Sequence, residues 1–267
     1  MEKIGIIKYN VSNFSAGELF DWCNKNGVEY VELMRPDIWE DVGKKENRVK
    51  EISALLMKYG IKVSQISAGN DFIKASEEEV KEQLRIIREL CLMVKDMGFN
   101  QLRLDGGWPK ENIEEKKYRD MVMDGIKKAV EIAEKEKVYL ALDNHGKVTN
   151  DYLLQLDVFK DVNSKYLGAN LDTMNYRWYG YPVEKLTGIY RKIAPHVFHT
   201  HMKDGVKADV DFKYTASVLG KGEVPLKETI EILKNAGYTG PWCIEYEGKD
   251  GIEGYGKSAE WLKELKV

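Results

Sequence analysis

Four runs in the C-terminal half of the chain each finish near a side chain able to ligate a metal. They are VYLALDNHG (138–146) with Asp143, YLGANLDTMN (166–175) with Asp172, VFHTHMKD (197–204) with His201, and PWCIEYEG (241–248) with Glu245. In each run apolar or small residues alternate with, or lead into, that one carboxylate or imidazole. Parallel strands joined by helical crossovers deliver their C-terminal ends to one face, and closed barrels of such strands carry their chemistry there. If the four runs are neighbouring parallel strands, their side chains converge on one point. Three carboxylates and one imidazole make a hard, oxygen-rich site for one divalent ion. Mn²⁺, Mg²⁺ or Co²⁺ is favoured over Zn²⁺, because no thiolate is at hand and a single histidine is placed.

The rest of the chain must supply the elements that position this site. IGIIKYNV (4–11) reads as a strand, and Ser15 with Glu18 three residues later forms a capping box for a helix ending at Gly27. VEYVELM (28–34) is a second strand, followed by a helix over about 46–59 that stops at Gly60. IKVSQISAG (61–69) is the third. Ser76 and Glu79 cap the next helix, whose apolar stripe Val80, Leu84, Ile87, Cys91, Val94 runs until Gly98. FNQLRLDGG (99–107) is strand four, with a helix over about 116–136. The four runs above are strands five to eight. Their helices start at Thr149 or Asn150, at Pro182, at Pro225 after a loop of about twenty residues, and at the terminal SAEWLKEL. Eight strand–helix units without a Pro/Ser-rich linker predict one domain over 1–267, a (β/α)8 TIM barrel. An open doubly wound sheet would carry a Gly-rich phosphate loop after the first strand, where this chain has KYNVSNFSAG.

Composition narrows the function. The net charge is −3 although 32% of residues are charged, so the charges are interspersed and offer no basic field to nucleic acid. Cys23, Cys91 and Cys243 are odd in number, far apart and set in apolar patterns, which reads as reduced core cysteines of a cytoplasmic protein. No apolar run reaches signal-peptide or transmembrane length, so neither secretion nor a membrane is expected.

The motifs resemble those of the xylose-isomerase-like barrels, the superfamily of sugar-phosphate isomerases and epimerases. The carrying residues are the strand-five acid of LALDNHG, LDTMN on strand six, HTHMKD on strand seven and GYTGPWCIEYE into strand eight. The resemblance implies a TIM barrel and one divalent metal bound by Asp143, Asp172, His201 and Glu245, the same set that the strand ends give. It also implies that Asp143 and Glu245 form an acid/base pair. Two departures stand out. The family's strand-five acid is usually Glu, so Asp143 falls short by roughly 1–1.5 Å on ordinary bond lengths, which makes Glu245 the main base. Asn175 stands where the epimerases often carry a substrate-binding histidine.

Isomerising or epimerising a sugar removes a proton next to a carbonyl and leaves an enediolate, whose charge a divalent ion stabilises; a carboxylate removes and returns the proton. The same intermediate can expel a β-leaving group, so a lyase, an inosose-type dehydratase or a cleaver of oxidised glycosides, is the alternative. An endonuclease IV-like phosphodiesterase is disfavoured, since that chemistry uses three metals and several extra histidines and this acidic chain has four histidines in all. The substrate set is Glu32, Arg103, Trp108, His145, Asn175 and Lys203, around a small carbohydrate. Arg103 binds substrate or pairs with Asp105 or Glu32. His199 reads as a supporting or core histidine, and His196 as a surface loop residue. Trp39, Trp108 and the cluster Tyr176, Trp178, Tyr179, Tyr181 leave the catalytic ends of strands two, four and six. Such aromatics pack on sugar C–H faces, are buried to close the barrel, or make a subunit contact, the last giving a homo-oligomer. The loop 205–224, with its GKG at 220–222, is expected to wall the pocket.

Overall fold

The computed structural model describes residues 3–11, 13–39, 45–210 and 213–266. Eight strands close into a parallel barrel: β1 (Ile4–Ile7), β2 (Tyr30–Met34), β3 (Lys62–Ser67), β4 (Gln101–Leu104), β5 (Tyr139–Asp143), β6 (Leu167–Asp172), β7 (Val197–Met202) and β10 (Trp242–Ile244). The ends meet where β1 pairs with β10, Gly5 opposite Cys243. That closure needs Gly5, because a Cβ there would lie 2.5 Å from the Cys243 sulfur.

The helices form as their signals require. Both capping boxes close at the start of α1 (Ala16–Lys25) and α4 (Glu77–Asp96), with Ser15 and Ser76 accepting from Glu18 and Glu79 N–H; such caps contribute about 1 kcal/mol each. Gly27, Gly60, Gly98 and Gly237 all carry positive φ just past a helix, the left-handed exit that glycine adopts without strain. The face of α4 that meets the barrel consists of Ile87, Leu90, Cys91, Met93 and Val94.

The structure departs from the sequence reading at the loops. Short helices α2 (Arg35–Ile38) and α7 (Asn175–Tyr179) follow strands two and six. The helix after strand five starts at Tyr152 behind an Asp151 cap (α6, Tyr152–Val162), because the Asp151 carboxylate takes the Leu153 N–H. The expected long loop after strand seven is an antiparallel hairpin of β8 (Asp204–Lys207) and β9 (Tyr214–Ser217); residues 211–212 of it lie outside the described residues. The terminal helix is α10 (Ile252–Glu264) and opens six residues earlier than SAEWLKEL does. Among the described residues no helix is long and apolar enough to cross a membrane.

The upper layer of the barrel interior is polar. Glu32, Gln65, Asn170, His199 and His201 are fully buried there, with Arg103 6% exposed. Strand register sorts the side chains into rows: Asp143 lies beside Asn170, Asn170 beside His199, and, two residues higher, Asp172 beside His201.

Candidate functional site

Asp172, His201 and Glu245 come together at the ends of β6, β7 and β10, each offering an atom within 4.8 Å of the other two. His201 stands between two carboxylates, with Nε2 2.7 Å from Glu32 Oε2 and Nδ1 2.9 Å from Glu245 Oε2. Nδ1 makes no well-formed hydrogen bond despite that approach, and Asp172 Oδ2 has no hydrogen-bond partner either; both atoms are buried. The other Asp172 oxygen accepts the backbone N–H groups of Met174 and Asn175, each at 2.8 Å.

Asp143 takes a neighbouring position. Its Oδ1 accepts from Asn170 Nδ2 at 2.7 Å and its Oδ2 lies 3.8 Å from Arg103. It forms a second group with Asp105 and His145. Asp105 Oδ1 and His145 Nδ1 face each other at 3.6 Å without a hydrogen bond.

Charge inside the mouth is tightly compensated. Burial disfavours the Glu32 carboxylate, but His201 and Arg103 override it and hold its pKa down at about 2. Burial likewise opposes ionisation of Glu245, yet Lys203, 3.0 Å from its Oε1, and His201 hold it well below the usual carboxylate range. Asp172 behaves oppositely: burial, helped by Glu245 and Asp143 against the pull of Lys203, pushes it up to about 7. Burial works against charge on His201, but Glu32 and Glu245 raise its pKa well above the ordinary imidazole value. His199 is neutral, with burial lowering it to about 3, and its Nδ1 lies 2.8 Å from Asn170 Oδ1 and 3.0 Å from Gln65 Nε2.

The residues expected to meet substrate divide into two groups. Glu32 and Arg103 lie beneath the mouth as an ion pair at 3.1 Å, and Arg103 also donates to Ser67 at 2.8 Å. Asn175 is a support, donating its side chain to the Asn144 carbonyl and its N–H to Asp172. Lys203 bridges Glu245 and Glu247, the latter at 2.7 Å, under the ring of Tyr214 from the hairpin. Trp108 and His145 stand at the rim, edge to face with centroids 4.7 Å apart; Trp108 is 43% exposed. Of the aromatics after strand six, Tyr176 turns inward and is fully buried against Tyr181 and Tyr190, while Trp178, Tyr179 and Tyr181 are half-buried. Trp39 is buried under Arg85. His196 is stacked on Phe159 at 4.8 Å, so it is part of a packed contact rather than a free loop residue.

The model of the xylose isomerase-like TIM barrel matches residues 20–265. The chain belongs to that family. L-ribulose-5-phosphate 3-epimerase UlaE of Escherichia coli is 27% identical over 256 residues, covering 89% of this chain and 85% of the relative. Among solved structures, the IolI protein with a bound zinc atom superposes with a TM-score of 0.80 at 19% identity, covering 99% of this chain and 96% of that one. D-psicose 3-epimerase with D-tagatose from Clostridium cellulolyticum superposes with a TM-score of 0.77 at 15% identity, covering 99% and 98%.

On this family's barrel the sequence reading passed over Gln65, Asn170 and Glu247. Each carried a signal. Asn170 and Glu247 sit two residues from Asp172 and Glu245, and alternation puts them on the same face. Gln65 is an amide in the middle of a strand, followed by the buried Ile66 and Ser67.

Proposed function

We propose that the chain is an isomerase or epimerase of a small carbohydrate. It removes a proton from the carbon next to a carbonyl, with Glu245 as main base and one divalent ion held by Asp172, His201 and Glu245. The observation that carries this reading is the convergence of those three groups, with Asp172 Oδ2 buried without a hydrogen bond, 3.7 Å from Lys203, and His201 Nδ1 facing Glu245 Oε2 at 2.9 Å without a well-formed one. A buried polar atom left unpaired costs about 1–3 kcal/mol, and ligation of a cation removes that cost, so the donor set fits a divalent ion. Oxygen donors with one imidazole suit Mn²⁺, Mg²⁺ or Co²⁺, with Zn²⁺ acceptable. When bound, such an ion supplies Lewis-acid polarisation of the substrate carbonyl.

The chain's own residues supply the rest. Lys203 and His201 keep Glu245 ionised, so its carboxylate is ready to accept the carbon-bound proton and to return it. Asp143, fixed by Asn170 and Arg103, is the second carboxylate of the pair. Trp108 and His145 offer rim surfaces for the C–H faces of a sugar. Tyr214 covers Lys203 and shields this charged cluster from water. The 27%-identical relative is named as a sugar-phosphate epimerase, which supports the same reaction class. The three cysteines are free and buried, as in a cytoplasmic enzyme.

The test is exchange of substrate carbon-bound hydrogen with solvent deuterium, followed by NMR across a panel of ketoses. Glu245→Gln should stop exchange while a competing ligand still binds. Undiminished exchange would move the base to Asp143 or Lys203, and product that has lost water or an aglycone would reassign the chain to the lyases.

A further inference from the structure

(β/α)8 barrels that bind a phosphate commonly do so with backbone N–H groups of the loops after strands seven and eight. In this chain both places are filled by its own side chains. After strand seven, Asp204 accepts four backbone N–H groups: Gly205, Gly220 and Gly222 at 2.9 Å and Val224 at 3.2 Å. Asp204 is 2% exposed, and a Cβ on Gly222 would lie 2.1 Å from its Oδ1. The GKG loop is therefore an anion nest whose anion is an internal carboxylate.

After strand eight the glycines are covered by Tyr246. A Cβ on Gly248 would lie 2.0 Å from the Tyr246 hydroxyl oxygen, and one on Gly254 1.9 Å from its ring. The N-terminus of α10 is guarded by Asp250, which takes the Tyr246 hydroxyl and Lys257, and by Glu253 in the first turn. An anion at this helix start meets two carboxylates.

Among the described residues, cations near the mouth have partners as well. Lys8 pairs with Asp37, Arg177 with Glu223 at 2.6 Å, and Arg35 Nε donates to the Ala68 carbonyl at 3.1 Å. Around the proposed ion site, among the described residues, six carboxylates, Glu32, Asp105, Asp143, Asp172, Glu245 and Glu247, face Arg103 and Lys203, with the His201 imidazole, whose proton an entering ion displaces, between Glu32 and Glu245. The two charges of an ion would still leave the mouth anionic. A surplus cation stands at the rim, where Lys74 and Lys110 share Asp71 at 3.4 and 2.6 Å.

Resting on the epimerase reading, we infer that the substrate is a neutral, unphosphorylated ketose, unlike the phosphate ester in the name of the E. coli relative. Hydroxyl groups find carboxylates and amides to bond here, whereas a phosphate dianion finds its two usual cradles closed and meets like charge.

The experiment compares matched pairs with the protein loaded with Mn²⁺: L-ribulose against L-ribulose 5-phosphate, and D-fructose against D-fructose 6-phosphate. Solvent-exchange kinetics should favour the free sugar of a turned-over pair by about tenfold or more in kcat/KM, as expected of a repulsive field. A better phosphate ester overturns the inference, and a KM for that ester raised selectively by Lys110→Ala would identify the rim corner as the phosphate site. A second measurement does not depend on turnover. Inorganic phosphate should leave the melting temperature of the wild type unchanged, yet stabilise Asp204→Ala, in which the nest has lost its carboxylate. Phosphate stabilisation of the wild type overturns the inference whatever the activity. If neither sugar of any pair exchanges and phosphate has no effect on the wild type, the epimerase reading fails while selection against phosphate stands.

Discussion

Glu32→Gln tests the buried frame beneath the proposed ion site. Glu32 Oε2 accepts from Gln65 Nε2 and lies against His201 Nε2, both at 2.7 Å, and Oε1 faces Arg103 at 3.1 Å. Glutamine has nearly the same shape, but its amide nitrogen must point either at Gln65 and His201 or at Arg103. One donor therefore faces another, and Arg103 loses its nearest counter-charge. Removing one partner of a buried pair costs about 3–5 kcal/mol. A second route gives a similar size: holding the carboxyl at about 2 instead of its ordinary 4.5 corresponds to about 3 kcal/mol. For a chain of this length the melting temperature should fall by about 5–10 °C. The pH dependence has a definite sign. A carboxyl whose pKa is lowered on folding contributes stability that is present above 4.5 and lost as pH falls through about 2. The gap between wild type and variant should therefore narrow in acid. Glu32 also fixes which imidazole nitrogen of His201 faces the mouth, so affinity for a divalent ion should drop about 10–100-fold. Thermal melts across pH and calorimetric titration with Mn²⁺ measure both effects. A variant that melts within about 1 °C of wild type at neutral pH, with unchanged ion affinity, would refute the reasoning.

Three further outcomes are expected. His201→Ala should abolish ion binding and also lower the melting temperature, because Glu32 and Glu245 lose the buried imidazole between them; full occupancy of the folded variant measured by metal analysis would sink the ligand assignment. Asp172 is pushed up to about 7 and His201 is raised well above its ordinary value, so an entering ion must displace protons. Its affinity should rise with pH through neutrality and fall about tenfold per unit below 7 for the proton on Asp172; a flat titration between acid and neutral pH contradicts this. Asp143→Glu lengthens the reach by about 1.5 Å and should raise ion affinity. Weaker binding in the Glu variant would show a site built around aspartate, held as it is by Asn170 and Arg103.

Much of the barrel was legible in the sequence because its signals are local. The Ser15–Glu18 and Ser76–Glu79 boxes act within one helical turn, and both close as expected. Glycine stops and eight apolar runs repeat in order, and repetition is what a (β/α)8 chain writes most clearly. Asp172, His201 and Glu245 could be read because strand-end position alone sends them to one face. The hairpin after strand seven was missed although GVKADVDFKYTA alternates apolar and polar residues throughout, because no Gly, Pro or Asn turn pair divides that alternation into two strands. Helices α2 and α7 were missed because four or five residues carry no periodicity.

The frame under the site belongs to tertiary structure alone. Glu32 meets His201 across 169 residues and Gln65 meets His199 across 134, contacts that exist only once the barrel closes. The same is true of Asp143, whose sequence position matches a ligand but whose partners, Asn170 and Arg103, come from the adjoining strands. Residue type and alternation decide which face a side chain occupies. Which neighbour it meets there is decided by strand register around the whole barrel, because a carboxylate buried in that interior settles on whichever donors the closed ring brings within reach.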